Sequence, residues 1–513
     1  MSRGVTQSIV GVVGLLAVGW TAAPAVFSQA ATGGQPAHVQ LTRDEDFART
    51  RSLLGLTGPP PAGAASTSPE TFDAARANPY PTLPDALRLE NGQRVTSADV
   101  WNTQRRPELL ELFEREVYGR TPKVTPRVTW EVLSTTREMN GDVPIVTKQL
   151  VGHVDNSTYP ALTVNILASV STPAAATGPV PVILSFGFGT GAGRGGPAPA
   201  NAPAPTTVCV PTNAPPPAPA PAPAGRQGGA PAAGRGGAPP APQGPTNQQQ
   251  ALALGWGYAT VVTNSVQADN GQGMTCGIIG LVNKGQPRSV EDWGVLAAWG
   301  WGASRVLDYL ETDSAVDASR VGLYGHSRWG KATLLAAVLD QRFATAYVSS
   351  PGKGGATLHR RKYGETVDNL ADNFYYWMGG NYLKYAGRWD ALPVDSHELV
   401  AMMAPRPVFF SGGNDVQRHP DGSIVTRVNE QGQTVVAAAN DAWVDPEGTF
   451  MAAVAAGPVY ELLGKKGLGV TSLPPLDTKV IDGDIGFHQH PGGHVSGPAW
   501  ETFYTFAARH FAK

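Results

Sequence analysis

The stretch "GHSRWGK" (325–331) follows directly on "SRVGLYG" (319–325) and leads into "ATLLAAVL" (332–339). An apolar run, a glycine-flanked polar turn and then helix-forming residues read as strand, sharp turn and helix. A serine on such a turn is held with its hydroxyl above the C-terminal edge of a sheet. The generic nucleophile elbow is G-x-S-x-G. Here Gly325, Ser327 and Gly330 give G-x-S-x-x-G, one residue longer. Two readings follow: a catalytic nucleophile, or a serine that only caps the helix after it.

Outward from this unit the pattern repeats. "VPVILSFGFG" (180–189) is a fully apolar run of the kind buried in a central sheet. "RVTWEVLSTT" (127–136), "IVTKQLVGHV" (145–154), "ALTVNILASV" (161–170), "FATAYVSS" (343–350) and "RPVFFSGG" (406–413) read as further strands. "PELLELFEREVYGR" (107–120), "SVEDWGVLAAWGWGASRVLDYLET" (289–312), "GTFMAAVAAGPVYELLG" (448–464) and "PAWETFYTFAARHF" (498–511) carry helical spacing. Strands alternating with helices predict an α/β fold, a mainly parallel sheet with helices on both faces in a three-layer sandwich.

Two stretches stand outside this pattern. Residues 32–100 are rich in Pro, Ala and Thr and predict an irregular N-terminal arm on a catalytic domain spanning 101–513. Residues from about 191 to 245 are a Pro/Ala/Gly-rich run that buries too little apolar surface to offset its chain entropy, so a disordered insertion is expected there. At the start, Arg3, the apolar run Ile9–Trp20 and the small residues Ala30 and Ala31 predict a signal peptide over 1–31. The protein is then expected to be exported, periplasmic or secreted, with no membrane span after the signal is removed, and to act as a monomer.

A net charge of −2, with no basic stripe, argues against a nucleic-acid partner. Cys209 and Cys276 either pair as one disulfide or stand as separate thiols, and without clustered histidines they give no metal pattern.

A serine nucleophile needs a base, and the base needs an orienting carboxylate. Of the late histidines in "GFHQHPGGHVSGPAW" (486–500), His494 lies in a glycine-rich loop before the final helix and is the candidate base. His488 and His490 fall at or near a strand end, and His510 is expected on the surface of the last helix. Two acids follow the strand at 406–413: Asp415, at the generic position, and Asp441, beyond a polar stretch (417–440) that reads as an inserted hairpin.

These residues resemble a known family. "GHSRWGK", "YGETVDNL" (363–370), "NFYYWM" (373–378), "NDAWVDPEG" (440–448) and "GGH" (492–494) are similar to the glucuronoyl esterases, carbohydrate esterase family 15, in its bacterial form. The resemblance runs from about Trp101 to Phe511, apart from the insertion. It implies an α/β-hydrolase fold and a serine esterase. The substrate implied is the ester between (4-O-methyl-)glucuronic acid of glucuronoxylan and lignin alcohols, cleaved without metal or cofactor. It implies Ser327 as nucleophile, His494 as base and Arg328 as part of the oxyanion hole. Lys331, Glu365, Asn373 and Trp443 are implied as contacts to the uronate ring. Many family members carry the acid as a glutamate at the strand end after the nucleophile's helix, where this chain has Ser350. Others use an Asp-x-Trp pattern in the later loop, which Asp441 and Trp443 match, so Asp441 is preferred to Asp415. The alternatives are another carbohydrate esterase of the acetyl xylan type, and a catalytically impaired fold that binds glycan.

Overall fold

The computed structural model describes residues 35–187 and 244–512. The expected signal peptide lies outside the described residues, as does the expected insertion up to residue 243.

Apolar, β-branched runs form the strands β1 (Val128–Asn140), β2 (Val143–Val154), β3 (Asn165–Pro173), β4 (Val180–Gly187), β5 (Gly257–Val262), β6 (Val316–His326), β7 (Thr345–Ser349) and β8 (Val408–Gly412). A short hairpin, β9 (Thr426–Val428) and β10 (Thr434–Val436), and then β11 (Lys479–Val480) and β12 (Ile485–Gln489) complete the series. Ten of these strands form one sheet in the order β1-β2-β3-β5-β4-β6-β7-β8-β12-β11. Neighbours from β5 to β12 run parallel, while β1–β3 and β11 join antiparallel at the two edges. This is the α/β-hydrolase arrangement the sequence predicts.

The central strands are apolar on both sides because both sides are covered. Along β7 and β8, Tyr347 and Phe409 point to the face packed by Trp500, Phe503 and Phe506 of the last helix, Trp500–Phe511. Their neighbours Ala346, Val348, Val408 and Phe410 point to the opposite face. That face holds the helices Val295–Leu310 and Arg328–Leu339, which join the same core.

Three elements differ from the sequence reading. Within the arm, Arg43–Leu53 is a helix although it has no apolar face; a reciprocal capping box between Thr42 and Glu45 closes its N-terminus. The stretch 448–464 is two helices, Pro446–Ala455 and Gly457–Leu462, because Pro458 cannot continue the backbone ladder of the first. His510 is tucked against the ring of Phe506 and near Asp484 instead of standing in solvent. The rest of the arm adheres to the domain by backbone bonds, with the carbonyls of Thr67, Thr71 and Ala77 accepting from Val436, Gly364 and Lys362. Cys276 is disulfide-bonded, and Cys209 lies outside the described residues.

The two glycines of the opening stretch allow the helix at 328 to sit tight on the strands. A Cβ at Gly325 would lie 2.3 Å from the Trp329 carbonyl oxygen, and one at Gly330 would lie 2.7 Å from that of Ser349. Both obstacles are backbone, so neither yields easily. Gly325→Ala is therefore expected to destabilise the domain by roughly 1–3 kcal/mol, read as a lower thermal midpoint. An unchanged midpoint would show that the turn can relax.

Candidate active site

Ser327 connects β6 to the helix Arg328–Leu339 with φ 59° and ψ −125°. That is a conformation a non-glycine residue adopts only when its surroundings impose it. Its N–H donates to the Ser349 carbonyl at 2.9 Å, which ties the turn to the end of β7. Its side chain makes no capping bond to the helix. The capping reading of this serine is thus not what the structure shows.

Residues that follow four neighbouring strand ends meet here, because the C-terminal edge of a parallel sheet gathers its loops. Beyond β12, His494 packs its ring 4.5 Å from that of His326, the residue before Ser327. Its Nδ1 lies 2.5 Å from Asp441 Oδ1. A carboxylate only accepts, so this bond holds the proton on Nδ1 and leaves Nε2 as the basic nitrogen. Asp441 is fully buried. It reaches the site from the loop after the β9–β10 hairpin, and its Oδ2 accepts from the Gly413 N–H at 2.5 Å and the Ser350 hydroxyl at 2.8 Å. Asn414 joins the two loops: its carbonyl accepts from the Asp441 N–H, and its side chain accepts from the Gly493 N–H.

The other candidate acid lies elsewhere. Asp415 accepts from the Tyr363 hydroxyl at 2.5 Å and from Arg418 at 3.4 Å, and its side chain is 41% exposed. His488 bonds Asp477 and Thr502. His490 accepts the Gly492 N–H on Nδ1, and burial lowers its pKa.

Arg328 is the first residue of its helix, where the backbone N–H has no acceptor within the helix. Lys331, one turn on, is buried. Its Nζ donates to Glu365 Oε2 at 2.8 Å and to the Lys353 carbonyl at 2.6 Å. Burial pushes the ammonium below its ordinary value, while the Glu365 charge opposes the shift. Glu365 is held in turn by its N–H, which donates to the Trp443 carbonyl at 2.7 Å. Its Oε1 has no hydrogen-bond partner among the described residues. Trp443 is half-buried against the cluster of Phe72, Val416 and Val436. Asn373 stands exposed at the end of the helix Val367–Asn373, and among the described residues no hydrogen bond joins its side chain to the other candidates.

Sequence reasoning passed over several participants. His326 lies in the motif, which assigns it no role, and its ring packs against that of His494. Ser350 stands where the resemblance places a glutamate, and its hydroxyl donates to Asp441. Asp269, bonded to Arg328, lies in no quoted motif, and Trp377, under the same guanidinium, lies within "NFYYWM" but is assigned no role there.

The chain is similar to known proteins over most of its length. The family described as glucuronyl esterase of fungi matches residues 287–440, a span that ends just before Asp441. Over 443 residues the chain is 32% identical to the carbohydrate esterase MZ0003 of an unknown prokaryotic organism, with 86% of this chain and 91% of that one covered. A 4-O-methyl-glucuronoyl methylesterase 1 of Sodiomyces alcalophilus is 32% identical over 133 residues, 24% of this chain and 27% of that one. The solved structure of a CE15 glucuronoyl esterase from Teredinibacter turnerae T7901 superposes with a TM-score of 0.73 at 33% identity, over 92% of this chain and 100% of that one.

Burial, together with the neighbouring His494, pushes His326 from 6.5 down to about 4. The unfolded chain therefore binds a proton near pH 6.5 that the folded chain resists. The stability this contributes is present above pH 6.5 and is lost as the pH falls toward 4, on the order of 3 kcal/mol. Thermal midpoints of the wild type should fall across that window, and those of His326→Gln should fall less. Parallel curves would mean that His326 does not carry the effect.

Proposed function

The chain belongs to carbohydrate esterase family 15, the glucuronoyl esterases, and we propose that it hydrolyses the ester between (4-O-methyl-)glucuronic acid of glucuronoxylan and lignin alcohols. The observation that carries this reading is the contact of His494 Nδ1 with buried Asp441, beside a serine held on a strained turn. That arrangement supplies a nucleophile, a base of defined tautomer and an orienting acid.

In the proposed reaction Ser327 Oγ attacks the ester carbonyl as its proton passes to His494 Nε2. Asp441 holds the ring and stabilises the imidazolium. The Arg328 N–H and guanidinium stabilise the negative charge on the carbonyl oxygen; one such donor is worth ~100-fold or more in rate. His494 then protonates the leaving alcohol, and water, deprotonated by His494, resolves the acyl-enzyme. Side chains and water suffice for every step. The Lys331–Glu365 pair and Trp443 form the uronate subsite, with Glu365 Oε1 accepting from a sugar hydroxyl and the indole contacting the ring. Asn373 is the outer contact to the same ring. Export fits a polymeric substrate that cannot enter the cell, and it rests on the pattern of residues 1–31. No helix among the described residues is long and apolar enough to cross a membrane.

The test is release of benzyl alcohol from benzyl glucuronate, run beside acetate release from acetylated xylan. Wild type is expected to release the alcohol and Ser327→Ala to release none while folding normally. Acetate release alone would move the protein to another esterase class, and no product from either would leave glycan binding. In the same assay Asp441→Asn should lose ~1,000-fold or more in kcat, and Asp415→Asn under threefold. Comparable small losses in both would place the acid elsewhere.

A further inference from the structure

Arg328 does not reach into the site unsupported. Its Nη1 donates to Asp269 Oδ2 at 2.5 Å, and its guanidinium carbon lies 5.5 Å over the centroid of Trp377. The two supports are themselves joined, because the Trp377 indole N–H donates to Asp269 Oδ1 at 2.7 Å. Phe374 stacks on Trp377 with centroids 4.0 Å apart and planes within 9°, which holds the indole in place. The Asp269 side chain is 13% exposed and that of Arg328 is 37% exposed. Asp269 is the only hydrogen-bond partner of the guanidinium among the described residues, so the remaining donors of the fork are unspent.

The segment carrying Asp269 is firmly held. It follows β5 and the helical turn Thr263–Val266. The Gln267 carbonyl accepts from the Trp299 indole at 2.9 Å, and the Gln267 side chain bridges the Gly273 carbonyl and the Ile279 N–H. Asn270 caps the next turn through Gly273. The carboxylate thus belongs to a rigid frame and not to a loose surface loop.

We infer that Asp269 is a positioning residue for the esterase reaction: its two carboxylate oxygens clamp Arg328 against Trp377 and so fix the guanidinium where the oxyanion develops. This rests on the reading of Arg328 as an oxyanion donor. The chemistry explains why a carboxylate is needed. Two N–H donors converge on the two oxygens, and an amide would set its own NH2 against one of them. A free arginine side chain has many rotamers, whereas a donor that stabilises a transition state works best when it is already in place. Charge on the oxygen develops during the chemical step, so loss of the clamp should lower kcat and leave KM nearly unchanged.

The experiment is a double-mutant cycle on benzyl glucuronate with the full chain. Arg328→Ala is expected to lose ~100-fold in kcat. Asp269→Asn is expected to lose roughly tenfold in kcat, with KM within about twofold, and Asp269→Glu to recover part of that loss. On the Arg328→Ala background, Asp269→Asn should cost nothing more, because the group it acts through is gone. The same fold-loss in both backgrounds would overturn the inference and make Asp269 a structural residue only. Full activity of Arg328→Ala would overturn the oxyanion reading, and the inference with it. Absence of wild-type turnover would instead count against the proposed esterase function. Thermal midpoints report folding; should Asp269→Asn not fold, Trp377→Phe removes the second donor and is read by the same cycle.

Discussion

Ser327 sits at φ 59° and ψ −125°, a backbone state that costs a non-glycine residue about 1–3 kcal/mol. What holds it there is close packing of the helix Arg328–Leu339 on the strand ends. The bare α-carbons of Gly325 and Gly330 permit that approach, and the bond from the Ser327 N–H to the Ser349 carbonyl secures it. The same constraint places Arg328 at the open end of the helix and Lys331 one turn below. The positions of Ser327, Arg328 and Lys331, to which the proposed reaction gives the roles of nucleophile, oxyanion donor and uronate contact, are therefore consequences of one turn.

The acid side of the site is built differently. Asp441 does not lie at the strand end that follows the nucleophile helix; it arrives from beyond a hairpin. The residue at that strand end, Ser350, turns its hydroxyl onto the acid. With Gly413 it fills Oδ2, so that Oδ1 is left to His494. Behind this loop Asp445 accepts from the Arg361 guanidinium at 3.0 Å and from the Gly448 N–H, which caps the helix Pro446–Ala455. The loop that carries Asp441 and Trp443 is thereby pinned at its far end by a buried ion pair. Its middle is pinned by the Trp443 carbonyl on Glu365. Asp441 and Trp443, the proposed acid and sugar contact, thus share one pinned segment, and misplacing either should disturb the other.

Much of this was legible in the order of residues. A fully apolar strand implies helices on both of its faces, and β4, β7 and β8 have them. A serine between close-set glycines, after a strand and before a helix, implies an elbow. A histidine in a late glycine loop marks a candidate base, and His494 there meets Asp441. What resisted reading had specific physical causes. The helix Arg43–Leu53 sets only Phe47, Ala48 and Leu53 among polar residues, so periodicity carried no signal, and only its capping box marks the start. The break at Ala456 hid inside an apolar run whose Gly457 and Pro458 were passed over. His510 has the spacing of an exposed position but folds back on Phe506.

Sequence alone determined the fold class and placed Ser327 on a strand-to-helix elbow, because each rests on residues adjacent in the chain whose conformational preferences are local. It offered two aspartates as the acid, and the resemblance, through the Asp-x-Trp pattern of Asp441 and Trp443, favoured Asp441. Tertiary structure decided between their surroundings: the hairpin carries Asp441 to His494, while Tyr363 and Arg418 engage Asp415. It also assembled Arg328, Asp269 and Trp377, which are 59 and 108 positions apart along their two hydrogen bonds. Contacts at such separations leave no periodicity or spacing to read. They exist only once the sheet has brought its loops to one edge.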